Sequence, residues 1–489
     1  MIGPPMNQVV AFIEECGACP PGGIRWPRAA FPALCALVLA IASASAAAVQ
    51  SPSVALVGVT VVDPGADPVL RLDQTVLVDS GRITAVGGRR ELAVPSGARR
   101  VDARGKYLIP GLWDSHVHFM NATAAALPVF VANGVTSVRE MGGFLDSTRS
   151  WQPRMRGGSL VGPRIVTPGG MLESPRYLAG VRERSARLDG RLAQRVLPYR
   201  AGIGDSIGAR LVIDSMKALN VDFLKFRTVS SPQSYFALLR EARRAGLKVA
   251  GHLPGVVPAL VAADSGQDDI EHALLNADTA LRRALARKFV ERRTWYTPTL
   301  VASRTVTIPG DSADLLVFGP RALEAAEGRR YAAPWMLEWW RMQIDERKAD
   351  TANAAASQAI RWFAESQSDV HAFAAHGVRI LAGTDAGSVL VYPGFSLHDE
   401  LGLLVRAGLT PERALWSATT GPAEFAGLSR SVGRIAPGFV ADLVLLEADP
   451  LESIANTRRI HAVMLGGHLY ERAALDSLLA KVRRDVESR

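Results

Sequence analysis

Cysteine is nearly missing from this chain. Among 489 residues there are three, Cys16, Cys19 and Cys35, all close to the N-terminus. Removal of the segment ahead of residue 49 would leave no thiol. That would exclude disulfides, thiol catalysis and cysteine metal ligands together, and would discard the redox- or zinc-like Cys16-x-x-Cys19 pair. Lysine is scarce too, at seven of 56 basic residues, so a lysine inside an apolar run stands out. The net charge of +9 rests on scattered arginines without a basic stripe interleaved with aromatics, and no nucleic-acid partner is expected. After the N-terminal region no stretch is long and apolar enough to span a membrane. With 48% hydrophobic and 21% charged residues, the composition excludes disorder, collagen and coiled coil as the main architecture.

Arg25 and Arg28 precede an apolar run from Ala29 to Ile41 and a small-residue stretch from Ala42 to Ala48. A positive flank, a short apolar core and Ala44-Ser45-Ala46 or Ala46-Ala47-Ala48 as a cut site read as a secretory signal over residues 1–48. The alternative is a single anchor over Ala29–Ala48, but its second half is weakly hydrophobic. The 24 residues before Arg25 are long for such a signal, as though translation began further along. The expected mature protein is soluble, free of the membrane, and periplasmic or secreted.

The length suits one barrel-sized domain plus a smaller one. Short alternating runs (Ala55 to Val62, Thr75 to Val78, Ile83 to Val86) flank the turn Asp79-Ser80-Gly81-Arg82, and similar runs return at Ala441 to Leu446, Ile460 to Leu465 and His468 to Tyr470. Both chain ends are therefore expected to build one small β-sandwich domain, from residues 49–108 and 431–489. Between them, over 109–430, apolar strands alternate with helical stretches. Eight strands are expected: Tyr107 to His118, Val135 to Met141, Arg164 to Thr167, Val221 to Phe226, Lys248 to His252, Asp269 to His272, Thr294 to Pro298 and Val378 to Thr384. The fold class is thus α/β, a TIM (β/α)8 barrel with insertions. Two connections are long, Gly170 to Leu211 and the tryptophan-rich Leu300 to Val370, as lids and substrate walls tend to be.

The first barrel strand ends Asp114-Ser115-His116-Val117-His118, and alternation puts both imidazoles on one face, a natural metal grip. The fourth carries Lys225 among apolar neighbours. The fifth ends at His252, the sixth at Glu271-His272, and the eighth at Thr384-Asp385-Ala386-Gly387. Four histidines, a lysine and an aspartate at strand C-terminal ends are hard to explain as satisfied core, because each unpaired buried group costs several kcal/mol. A metal centre supplies the missing partners.

In that order on a barrel, His116-x-His118, Lys225, His252, His272 and Asp385 resemble the amidohydrolase superfamily, most closely its imidazolonepropionase-like and Xaa-Pro dipeptidase-like branch. Leu108-Ile109-Pro110-Gly111-Leu112-Trp113-Asp114, Gly134-Val135-Thr136-Ser137-Val138-Arg139-Glu140 and Gly438-Phe439-Val440-Ala441-Asp442-Leu443-Val444 add to the resemblance, which runs from about Ser53 to Glu471. It implies two divalent metals, usually zinc. His116, His118 and Asp385 would hold the more buried ion and His252 and His272 the more exposed one. Lys225, carboxylated by carbon dioxide, would bridge them as a carbamate. A bridging water, its pKa lowered by both cations, would attack a polarised carbonyl while Asp385 moves the proton to the leaving amine.

Small carboxylate-bearing amides, dipeptides or N-acyl amino acids, are the expected substrates; lactones, carbamates and toxin amides stay open. Leu253 stands where some dipeptidase-like relatives carry a substrate-contacting tyrosine. Arg227, Tyr296 and His398 are candidate substrate contacts, with a salt bridge, core packing and a helix start as their respective alternatives. Gly204-Asp205-Ser206-Ile207-Gly208 matches a nucleophile-elbow pattern, but no strand is expected before it and Asp205 reads as a helix cap. A non-catalytic binding protein on a retained barrel is the other rival, disfavoured because all six ligands are present. The broad barrel exterior permits a homo-oligomer.

Overall fold

In a computed structural model, residues 53–118, 124–186, 200–274, 278–349 and 354–488 are described. The expected signal segment lies outside them. Among the described residues no helix is long and apolar enough to cross a membrane.

The N-terminal part forms five strands: β1 Val54–Val62, β2 Leu70–Asp79, β3 Arg82–Gly88, β4 Arg99–Asp102 and β5 Tyr107–Pro110. Ser80 (φ 48°) and Gly81 (φ 79°) close the β2–β3 hairpin with two left-handed residues, the turn whose twist suits an antiparallel pair. The α/β part supplies β6 Leu112–Val117, β7 Val135–Glu140, β8 Arg164–Val166, β9 Met171–Glu173 and β10 Arg200–Gly202. It continues with β11 Leu224–Phe226, β12 Val249–His252, β13 Asp269–Glu271, β14 Trp295–Thr297 and β15 Arg379–Ile380. Then follow β16 Leu443–Leu446, β17 Ile460–Leu465 and β18 His468–Glu471.

The two chain ends do pair. One eight-stranded sheet runs β18-β17-β16-β5-β1-β2-β3, with β4 also on β1, and the ends join where β5 lies antiparallel to β16. Its apolar side chains, among them Val61, Val76, Ile83, Leu443 and Met464, form a core of their own. The two ends thus share one continuous sheet, and its strand β3 returns to the stretch ahead of β16, where Ile83 N–H donates to Phe439 O (2.9 Å) and Ala441 N–H to Gly81 O (2.9 Å). The last helix, Arg472–Glu487, leaves that sheet and packs Leu475, Leu479 and Val482 into the main core with Phe130 of the helix Leu127–Ala132.

The middle is a TIM-barrel-like α/β arrangement of two parallel sheets, β6-β7-β8 and β10-β9-β11-β12-β13-β14-β15. The ladders do not run into one ring. On one side Ser115 N–H donates to Ala382 O (2.9 Å) and Asp385 N–H to His116 O (2.7 Å), linking β6 to the segment after β15. On the other, Asp222 N–H donates to Thr167 O (2.9 Å), and β9 continues from β8 onto β11. Between strands and helices lies the main core, with Phe289, Tyr296, Phe373 and Leu404 at its centre.

Two expected elements change. Tyr107 to His118 is not one strand: β5 belongs to the terminal sheet and β6 to the α/β part, and the chain crosses between them at Gly111. A methyl group there would overlap Oγ1, Cγ2 (2.6 Å) and Cβ (2.9 Å) of Thr136, so only glycine fits the crossing. The connection Gly170 to Leu211 also holds β9 and β10, strands too short to show periodicity.

Gly111→Ala is therefore expected to destabilise the protein by about 1–3 kcal/mol through overpacking, read as a lower denaturation midpoint. Thr136→Ala in the same chain, which removes two of the three overlapping atoms, should recover part of the loss; no change on G111A would contradict the close crossing.

Candidate metal centre

The ends of β6, β11, β12 and β13 and the segment after β15 converge on a cleft of about 590 Å³, within the roughly 300–1,000 Å³ usual for small-ligand sites. Asp114 sets the register of its deepest part. Its carboxylate accepts from Thr384 N–H (2.9 Å), Thr384 Oγ1 (2.6 Å) and His116 N–H (3.3 Å), locking the end of β6 to the stretch that carries Asp385. Burial raises the Asp114 carboxyl to about 7, with the Thr384 bonds pulling it back.

Above that lock the six expected residues come together. His118 Nε2 lies 3.1 Å and His116 Nε2 3.6 Å from Asp385 Oδ1. Ring centroids are 5.3 Å apart for His116–His118, 4.9 Å for His116–His272 and 4.7 Å for His252–His272. The Lys225 ammonium, 1% exposed, pairs with Glu271. Two groups have donor atoms all within 4.8 Å of one another: His116, His118 and Asp385, and His116, Glu271 and His272.

The protonation states suit a cation. Burial holds His116, His252 and His272 below the usual imidazole value, His272 at about 3, so they stand neutral. Burial pushes the Asp385 carboxyl up, but the hydrogen bond from His118 and the nearby imidazoles outweigh it and hold it well below the usual carboxylate range. Neutral imidazole and ionised carboxylate are the ligating forms. Neither nitrogen of the wholly buried His116, nor Nδ1 of His118, makes a well-formed hydrogen bond. Buried polar atoms are rarely left so, and these are what a metal ion would occupy.

Residues with no assigned role in the sequence complete the centre. Glu271 joins through Lys225 and stands 3.4 Å from His116 Nδ1. Arg139, 2% exposed, donates to Ser115 O (2.6 Å) and Asp269 (2.6 Å) and stacks 4.6 Å from the Phe425 ring. It balances the two buried acids of β13 from below. Thr299 Oγ1 lies 2.7 Å from His272 Nδ1 and so orients that ring with Nε2 free. Thr299 is itself strained, a β-branched residue at φ 48°. The Glu400 carboxylate, 0% exposed, fixes it by accepting from the next two amides, Leu300 N–H (3.0 Å) and Val301 N–H (2.7 Å). His272 (φ 65°) and Asp385 (φ 60°) share the left-handed conformation, the kind of local strain that clusters at functional sites.

The candidate substrate contacts divide. Arg227 lines the cleft, its guanidinium 4.9 Å from the Tyr177 ring, and no carboxylate among the described residues pairs with it. Tyr296 and His398 are corrected. Tyr296 is 0% exposed and faces the helices, with Phe373 at 4.9 Å, because Thr297 takes the inward position on β14. His398, 3% exposed, uses both nitrogens on Asn133 O (3.1 Å) and Thr457 Oγ1 (3.0 Å). Ser206 is exposed at the start of the helix Ser206–Ala218, capped by Asp205 on Gly208 N–H (2.8 Å). A short strand, β10, does precede it, contrary to expectation, but Ser206 does not line the cleft.

The amidohydrolase family profile matches residues 107–470. Imidazolonepropionase of Cereibacter sphaeroides is 28% identical over 77% of this chain and 89% of its own. Among solved structures, a Xaa-Pro dipeptidase with bound methionine superposes with a TM-score of 0.64 at 20% identity, covering 86% of this chain and 100% of its own. Bottromycin amidohydrolase gives 0.67 at 22%, covering 89% and 90%.

Two outcomes are expected. Thr299→Val, which removes the His272 Nδ1 partner, should weaken metal binding about 10–100-fold in competition with a chelator, and Thr299→Ser should restore it; equal affinity in all three would contradict the orienting role. Burial, then the charge of Arg458, lowers His398 from 6.5 to about 3. Its folded pKa lies below the unfolded one, so its contribution is full above pH 6.5 and is lost as pH falls toward 3. His398→Gln should flatten the decline of stability across that window, and a parallel decline in both proteins would refute this.

Proposed function

The chain belongs to the amidohydrolase family and is a hydrolase, and from that premise we propose that it cleaves the amide bond of small carboxylate-bearing substrates, dipeptides or N-acyl amino acids, with two divalent metal ions, zinc by preference. The observation that carries this is the convergence of His116, His118 and Asp385, and of His116, Glu271 and His272, each group with donor atoms within 4.8 Å of one another, where both nitrogens of His116 and Nδ1 of His118 lack hydrogen-bond partners. When bound, the ions would polarise the amide carbonyl and make water nucleophilic near neutral pH.

In this reading His116, His118 and Asp385 would hold one ion and His252 and His272 the other, with Lys225, carboxylated, as a further ligand. A free ammonium beside two cations would be repelled, whereas a carbamate offers them anionic oxygens. Asp385 is held ionised and is in hydrogen-bond reach of His118. It accepts the proton released by the attacking water at a carboxylate oxygen and returns it to the departing amine. Arg227 receives the substrate carboxylate as a charge-assisted hydrogen-bond donor. Leu253 gives the neighbouring wall an apolar surface, which favours acylated amino acids over free dipeptides. The names Xaa-Pro dipeptidase and bottromycin amidohydrolase support an amide as the bond broken. We also propose that residues 1–48 direct export and are removed, so that the enzyme works in the periplasm or outside the cell.

Metal analysis and a panel of dipeptides and N-acyl amino acids test this. Two ions per chain are expected, with turnover lost on chelation and restored by metal plus bicarbonate. Full activity without metal would overturn the mechanism. Arg227→Met should raise KM about tenfold or more for carboxylate substrates, against little change for the corresponding carboxamides; an equal effect on both would remove Arg227 from carboxylate binding.

A further inference from the structure

Past β15 the chain turns sharply between Asp385 and Val391, and Asp385, Gly387 and Ser388 line the cleft. Trp339 and Trp362, from the long connection between β14 and β15, line it as well. The turn is fixed from several sides. Asp385 (φ 60°) and Gly387 (φ 119°) bend it. His118 N–H donates to Ala386 O (2.9 Å) from the end of β6. Trp340 donates Nε1–H to Gly387 O (2.9 Å) from the helix Pro334–Ala349. Within the turn, Ser388 N–H donates to Asp385 O (3.1 Å) and Val391 N–H to Ser388 O (3.0 Å). Backbone bonds thus hold Ser388 beside Asp385 and leave its hydroxyl for other work.

The two carboxylate oxygens of Asp385 have different neighbours. Oδ1 faces the imidazoles, 3.1 Å from His118 Nε2 and 3.6 Å from His116 Nε2, the two rings with which Asp385 forms a candidate ligand group. Oδ2 accepts instead from the Ser388 hydroxyl at 2.8 Å. An ionised carboxylate can only accept, so the hydroxyl proton points at Oδ2. Once Oδ2 carries a proton the carboxyl becomes a donor, and the hydroxyl can accept from it while aiming its own proton elsewhere. Ser388 is half-buried, and its side chain borders the space a substrate would fill. Among the described residues lining the cleft, every other titratable side chain is a candidate ligand, Glu271 beside Lys225, or an arginine. A departing amine finds no separate acid there.

We propose that Ser388 is a catalytic residue, a proton relay between Asp385 and the departing amine. Water gives a proton to Asp385 Oδ2 as its oxygen bonds to the carbonyl carbon. The carboxyl then passes that proton to Ser388 Oγ while the Ser388 hydroxyl proton moves to the amide nitrogen. The C–N bond breaks with its electron pair on nitrogen, and carboxylate and hydroxyl are both restored. The relay rests on the amide-hydrolase reading above and goes beyond it in routing the proton through a serine.

An amide nitrogen must be protonated to leave, whereas an ester oxygen depends on a proton far less. The test therefore compares leaving atoms. Turnover is measured on the amide of the dipeptide and N-acyl panel that the metal-loaded protein cleaves fastest, and on the ester in which oxygen replaces the scissile nitrogen. For N-acetyl-L-phenylalanine that ester is O-acetyl-L-3-phenyllactate. Ser388→Ala should lower the amide-to-ester ratio of kcat about tenfold or more, since positioned proton transfer contributes about 10²–10⁴-fold. Ser388→Thr, which keeps the hydroxyl, should restore the ratio. Zinc affinity, read in competition with a chelator, should be the same in the alanine variant and the unaltered protein. Equal losses on amide and ester, or a fall in zinc affinity that accounts for them, would reduce Ser388 to a support for Asp385. Unchanged amide turnover would remove it from the reaction. Each of these results overturns the relay and leaves amide hydrolysis standing. Cleavage of no amide in the panel would overturn both.

Discussion

The crowding of imidazoles and carboxylates at the strand ends is the constraint to which the rest of the structure answers. His116 stands within 5.3 Å, ring to ring, of both His118 and His272, with Asp385, Glu271 and the Lys225 ammonium beside it. Removed from water, such groups are each costly unless paired, and protein atoms leave the His116 nitrogens without good hydrogen bonds. The supporting pieces act on this cluster. Asp114 locks β6 to the Asp385 segment, Arg139 balances the acids beneath, and Gly383 lets the backbones meet where a methyl group would come within 2.8 Å of His116 Cβ.

Aiming these groups at one point takes backbone strain. His272, Thr299 and Asp385 are all left-handed non-glycine residues just past strand ends. Each such conformation costs about 1–3 kcal/mol and persists only where its surroundings over-determine it. Glu400 over-determines Thr299 through two amide hydrogen bonds, and Asp385 is held through its amide on His116 O. The order is therefore Glu400 carboxyl to helix start, helix start to Thr299, and Thr299 to the imidazole of His272.

The candidate ligands and the far wall of the cleft sit on different parts of the chain. Strand ends provide the candidate ligands, as barrel-type folds generally arrange them. The long connection before β15 provides the tryptophan wall, joined to the centre through Trp340 and Gly387. Such a connection can change its ring positions without moving a ligand, which is how one scaffold serves many substrates.

How much of this is legible in the residues follows from what each depends on. Alternation along one strand is a local rule, so His116 and His118 were readable as a pair. Strand-end placement likewise marked Lys225, His252, His272 and Asp385, and a repeated strand–helix pattern marked the α/β class. The same rule misleads at Glu271, since neighbours on a strand should face opposite ways; only the left-handed backbone at His272 lets both serve one centre. Tyr296 and His398 had suitable sequence positions, but which side of a strand meets the cleft, and which helix covers an imidazole, are decided by packing between distant segments. The split at Gly111, the pairing of β5 with β16, the Thr299 bond to His272 and the place of Trp339 and Trp362 in the cleft have the same origin. The sequence by itself determined the candidate ligand residues and the α/β class, because those follow from residue type and short-range periodicity. The tertiary structure alone decided which groups share the centre, which are strained into it and what lines the cleft, because those depend on contacts between residues far apart in the chain.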